Sequence, residues 1–177
     1  MWAVNDILQG QIVNIDGKCL RGSDDQRLGK RAIYMVSAWA VDNELVLGQR
    51  KVDEKSNEIT AIPELLKLLN LSGCIVTIDA MGTQTQIAKT IREAEADYVL
   101  SVKENQGHLY EDILTLFAVD QAQDFQYASY EYKQETSKGH GRIEVRECFS
   151  TSNPDYLQLI RHRQEWADLT SIAMVVC

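Results

Sequence analysis

The chain has 177 residues, 45% of them hydrophobic and 25% charged, with two prolines and ten glycines, which fits a globular domain with a sizeable core and excludes a mostly disordered chain. Its net charge of -8 argues against a DNA-binding surface spread over the whole protein, but a local basic strip survives, with Lys18, Arg21, Arg27, Lys30 and Arg31 set against Asp24 and Asp25. No stretch approaches the roughly 18 apolar residues of a membrane span, no secretion signal is visible, and Cys19, Cys74, Cys148 and Cys177 form no CxxC pair, so a soluble, cytoplasmic protein with reduced thiols is expected.

In chain order, residues 11–16 (QIVNID) read as a strand with Asp16 at its C-terminal end and Gly17 as punctuation. Residues 33–41 and 44–52 flank Asp42-Asn43, a pair suited to a hairpin turn, so the first three strands form an antiparallel meander. Ile62, Leu65, Leu66 and Leu69 recur at helical spacing, which predicts a helix starting between Asn57 and Ile62 with Pro63 in its first turn. Residues 74–79 (CIVTID) are a continuous apolar run ending in Asp79, as a strand buried on both faces reads. Thr83 and Gln86 form a capping-box pattern before a helix over about 84–95, and residues 97–103 form the next strand. Right-handed crossovers then set the fourth and fifth strands parallel to the first.

Beyond Lys103 the pattern changes. Residues 108–119 predict a helix with Leu109, Ile113, Leu116 and Phe117 inward, and residues 125–135 and 142–150 alternate as a hairpin turning at 138–141, with one face packed and one wet. Residues 170–177 read as a last strand that stops at the chain end, as in a truncated chain. The expected division is an α/β core over 1–120 and a β-rich insertion with a truncated C-terminal part over 121–177. The class is α/β, with antiparallel strands 1–3, parallel strands 4 and 5, helices and that insertion.

Asp16 and Asp79 each end an apolar strand, and adjacent strands lie about 4.8 Å apart. Two such carboxylates suit a pair of divalent cations about 3.5–4 Å apart, the arrangement used for in-line phosphoryl displacement. The plainer alternative is that each aspartate only forms a turn or caps a helix. Spacing alone leaves both open.

The stretches IDGKCLRGS (15–23), SNEITAIPELL (56–66), VTIDAMGTQ (76–84) and YVLSVKENQ (98–106) together resemble the H-repeat-associated insertion-sequence transposases, a branch of the DDE transposases. The resemblance implies a ribonuclease-H-like fold for a catalytic core over 1–120, a Mg2+ or Mn2+ cofactor, and cleavage and joining of DNA strands at mobile-element ends. It also implies that Asp16 and Asp79 are the first two catalytic and metal-binding acids. The third acid of that family lies on a later helix, in a segment that this sequence does not show before Cys177, so truncation before it is expected. Glu144, in GHGRIEVR, and Glu104 are substitutes, and each also reads as an ordinary surface carboxylate.

Lys18, Arg21, Lys103 and Arg142 are candidate contacts to DNA backbone, which position DNA without reading its sequence. The hairpin's wet face is expected to carry Lys133, Lys138, His140, Arg142 and Arg146 for the same purpose. The expected partners are element-end and target DNA, and a homo-oligomer is compatible with the sequence. A second reading is a catalytically inactive remnant that binds DNA or the full-length transposase.

Overall fold

A computed structural model describes residues 10–20, 23, 32–52, 57–121, 130–139 and 142–177, and the chain divides into two compact units, residues 1–105 and 106–177. In the first unit, β1 (Ile12–Cys19), β2 (Tyr34–Ala40) and β3 (Leu45–Lys51) precede α1 (Glu58–Leu66), β4 (Ile75–Ile78), α2 (Thr85–Glu93) and β5 (Asp97–Leu100). Their sheet has the order β3-β2-β1-β4-β5. β1 to β3 pair antiparallel, whereas β4 pairs parallel with β1 and with β5. This is the ribonuclease-H-like mixed sheet.

Side-chain alternation decides which face holds the helices. Val13 and Ile15 on β1 and Val76 and Ile78 on β4 are buried on one face. Ala61, Ile62, Leu65 and Leu66 of α1, with Ile87 and Ile91 of α2, complete the same core. Each fully buried Val, Leu or Ile contributes about 1.5–3 kcal/mol relative to exposure, so this face binds the helices down. The other face carries Ile12, Asn14 and Asp16 beside Ile75 and Thr77, and the Thr77 hydroxyl is hydrogen-bonded to Asn14 Oδ1.

Several expectations require correction. β1 does not end at Asp16 but runs on to Cys19, because residues 16–19 keep pairing with β2 after β4 has ended. β4 is not buried on both faces, since Ile75 and Thr77 are only half-buried. The hairpin turn takes in residues 41–44 rather than Asp42-Asn43 alone, with Glu44 in the left-handed region (φ 50°). Pro63 lies past the first turn of α1, and a capping box between Asn57 and Thr60 sets the helix start instead. The cost is one lost backbone hydrogen bond in a nine-residue helix. Thr83 does not cap α2, whose N-cap is Gln84 with no side-chain bond.

The second unit holds α3 (Gly107–Gln121), the strands β6 (Glu131–Gly139), β7 (Arg142–Thr151) and β8 (Ile172–Val176), and α4 (Pro154–Gln158) between β7 and β8. The three strands form an antiparallel sheet in the order β6-β7-β8. On α3, Leu109 and Phe117 are buried, and the Phe117 ring packs 5.4 Å from that of Tyr130. Arg161 clamps the helix: its backbone N–H and Nε each donate to Asp112 at 2.8 Å, and its guanidinium reaches Glu111 at 2.9 Å. Burial alone would raise the Asp112 carboxyl, but the Arg161 hydrogen bonds and charge outweigh it and hold the group below the ordinary carboxylate range. Among the described residues, no helix is long and apolar enough to cross a membrane, and the four cysteines form no disulfide.

Candidate active site

Ile15 of β1 and Ile78 of β4 are register partners in a parallel pair, and Asp16 and Asp79 are the next residues on their respective chains. Both aspartates are exposed at the same end of two neighbouring strands. At this point β4 leaves the sheet while β1 continues, so beyond Ile15 the β4-side flank of β1 has no strand partner. The arrangement sets two short, hard-oxygen side chains on rigid backbone, which suits a divalent cation.

The loop after β4 is fastened at several points. Asp79 Oδ1 accepts from Met81 N at 3.1 Å and Gly82 N at 3.4 Å, capping the 3-10 turn Ala80–Gly82. The fully buried Thr83 donates its hydroxyl proton between Ser101 O at 2.6 Å and Asp79 O at 3.2 Å, which ties the ends of β4 and β5 together. Asn105 Nδ2 donates to Ala80 O at 2.7 Å. Asp79 is therefore both a cap, through one oxygen, and an acid whose Oδ2 receives no hydrogen bond among the described residues.

Glu58, which lies in SNEITAIPELL but takes no role from that stretch, belongs to this neighbourhood. It lies in the first turn of α1, and α1 starts at the end of the sheet where Asp16 and Asp79 stand, because β3 runs parallel to β1 and delivers the chain there. Burial raises its carboxyl above the ordinary value, and the negative charges of Asp79 and Asp16 raise it further. The strand order could have signalled it: an acid in the first turn after β3 has to fall at that end. Among the described residues, no three Asp, Glu, His or Cys side chains are already gathered around a single point tightly enough to hold an ion.

The remaining candidates are more scattered. Lys18 is exposed on β1, on the same face as Asp16, and Lys103 is exposed just beyond β5. Glu104 opens a 3-10 turn and is exposed. Arg21 lies outside the described residues, as do His140 and most of the basic strip, and of Arg142 only the backbone is described. Glu144 is on β7 in the second unit, where Arg146 pairs with it at 3.0 Å.

The hairpin departs from its expected faces. The pairing of Lys138 with Ile143 puts Lys138 on the apolar face, away from Lys133 and Arg146. Those two share their face with Glu131, Glu135 and Glu144, and Lys133 pairs with Glu135 at 3.0 Å. Among the described side chains this face is thus not basic. Nor is the apolar face packed along its length, since Ile143 is 65% and Val145 41% exposed.

The family model for the transposase DDE domain matches residues 8–164, which spans both aspartates. The chain belongs to the DDE transposase family. Among curated relatives of this DDE chain, the Escherichia coli O157:H7 protein named "Putative transposase YncI" is 43% identical over 177 residues, covering 99% of this chain and 44% of the relative. The K12 protein of the same name is 49% identical over 146 residues, covering 82% of this chain and 58% of the relative. The K12 "H repeat-associated putative transposase YhhI" is 41% identical over 165 residues, covering 93% and 42%. The DDE chain thus spans about half the length of the curated relatives it matches. Among solved structures, a piggyBac transposase synaptic complex with hairpin DNA aligns with a TM-score of 0.43 and 12% identity, covering 83% of this chain and 31% of that one, a likeness too distant to bear on function.

Proposed function

We propose that this chain carries the carboxylate part of a DNA transposase active site, in which Asp16 and Asp79 hold Mg2+ or Mn2+ and phosphodiesters are cleaved and joined at mobile-element ends. The observation that most supports it is the register of β1 and β4, which sets the two aspartates level on neighbouring parallel strands. The DDE family works with divalent metal, and the donor chemistry fits: carboxylate oxygens on rigid strands, with room for substrate phosphate and water to supply the other ligands. When bound, such ions activate the attacking oxygen and stabilise the leaving one.

In this reading the chain's own residues bind and orient. Asp79 keeps Oδ1 in its turn and presents Oδ2, while Asp16 presents its carboxylate from a strand position that β2 pairing holds in place. Lys18, two residues along the same face, meets a DNA phosphate, and Lys103 contributes a second backbone contact beyond β5. The partners are the ends of the element and the target DNA, and the protein acts in the cytoplasm. Arg142 enters this reading as a backbone contact on the sequence alone, and Glu144 only weakly, because Arg146 pairs with it at 3.0 Å.

The test is strand nicking of supercoiled plasmid bearing element ends, by a protein extended to the length of the matched relatives. Asp16→Asn and Asp79→Asn should each lower Mg2+-dependent nicking by about 100-fold. Nicking at the wild-type rate in both variants, or nicking indifferent to chelator, would contradict the reading.

A further inference from the structure

We propose that Glu58 is a third carboxylate of the cation site, presented from the first turn of α1 against the face of β1 at Gly17. The proposal rests on the reading of Asp16 and Asp79 as metal-holding residues and adds a member that neither strand supplies.

The central observation is the space at Gly17. A Cβ built there would stand 2.5 Å from Glu58 Cδ and 2.6 and 2.7 Å from its two carboxylate oxygens, so the Glu58 carboxylate occupies the volume a side chain at residue 17 would need. Gly17 lies inside β1, paired with Val36, and is not among the residues with positive φ. Its backbone conformation is thus open to any residue, and a glycine inside a strand weakens it. Close approach by another group explains the glycine where conformation does not. The group that approaches is a carboxylate, and the glycine it approaches follows Asp16 in sequence, at the end of the sheet where Asp79 stands.

Two further features fit. The helix start is secured by Asn57 and Thr60, so the Glu58 side chain has no part in the cap and its position is not explained by one. Among the described residues, no hydrogen bond or ion pair is made to the Glu58 carboxylate, although it is half-buried beside two other acids. Like charges brought together in a partly desolvated place are costly, and a divalent cation between them reverses the sign of that cost. Glutamate suits the position, since its longer side chain spans from the helix to the strand. Mg2+ commonly keeps several waters and takes only one or two carboxylates directly, so the three acids need not already be closed around a point.

The test uses the 177-residue chain and Mn2+ alone, with affinity read by calorimetry and by the loss of the free-ion paramagnetic resonance signal. Asp16→Asn should weaken binding by about tenfold or more, and Glu58→Gln by about three- to tenfold. Gly17→Ala meets only the far end of a flexible side chain, so the fold should persist, checked by circular dichroism, while Glu58 is pushed aside. It should match Glu58→Gln in affinity, and the double variant should be no weaker than Glu58→Gln alone. Wild-type affinity in Glu58→Gln, with Asp16→Asn weakened, would overturn the role of Glu58 and leave the two-aspartate site standing. Wild-type affinity in Gly17→Ala would overturn the approach through Gly17. Wild-type affinity in Asp16→Asn would instead remove the underlying reading.

Discussion

Asp79 and Asp16 stand level across β1 and β4, yet Asp79 alone has a second task, because its Oδ1 caps the turn that follows. The two tasks can be separated by substitution. Asparagine keeps an oxygen acceptor at the capping position, so Asp79→Asn should unfold within a few tenths of a kcal/mol of wild type, whereas Asp79→Ala should lose about 1 kcal/mol. Both should lose cation affinity. Chemical denaturation of the two variants checks this, and equal stabilities would mean that the cap contributes nothing.

Thr83 carries a further prediction. Its buried hydroxyl lies between the carbonyls of Ser101 and Asp79. Thr83→Val preserves shape but takes a donor from the Ser101 carbonyl, while Asp79 O keeps Gly82 N, a loss of about 1 kcal/mol. Because the same bonds fasten the loop bearing Asp79, cation affinity should fall as well. An unchanged denaturation midpoint would show that the hydroxyl bond is not stabilising.

These cases show where local pattern was sufficient and where it was not. The strand order is legible because apolar runs separated by helical periods leave few topologies open, although nothing in the run marks that β1 continues past Asp16. Thr83 was misread because a Thr-x-x-Gln spacing looks the same whether the hydroxyl caps a helix or ties two strands together, and only the packing of β4 against β5 distinguishes them. Lys138 was placed on the wrong face because the turn fixes the parity of a hairpin, and a slip of one residue exchanges the faces. Glu58 is illegible for a different reason: it meets Gly17 across 41 positions of chain, and nothing within either stretch joins the two. The exposure of Ile143 and Val145 has no local signature either, since alternation marks a face without saying what covers it.

The clamp of Arg161 on Asp112 predicts how the second unit responds to acid. Asp112 titrates below its ordinary value near 3.8 in the folded chain. A depressed carboxylate contributes stability that is present above the unfolded value and is lost as pH falls through the folded one. Asp112→Asn should therefore cost about 1 kcal/mol near neutrality, a modest figure because Arg161 is 46% exposed and solvent screens the pair. The variant and wild type should converge once the pH falls below the folded-state value. His108, which faces Asp112, and Glu111 on the same guanidinium remain in both proteins. Parallel denaturation curves at all pH values would show that the clamp does not titrate with folding.

Iron-directed backbone cleavage tests the shared cation site most directly. Fe2+ substitutes for Mg2+ at oxygen-ligand sites, and with ascorbate and peroxide it generates radicals that cut the chain within a few ångströms of the bound ion. The 177-residue chain should be cut at two places, around Asp16 and around Asp79, with both cuts suppressed together by excess Mg2+ and both absent in Asp16→Asn. Cutting at only one of the two aspartates, or cuts that persist undiminished in Asp16→Asn, would contradict a cation held between β1 and β4.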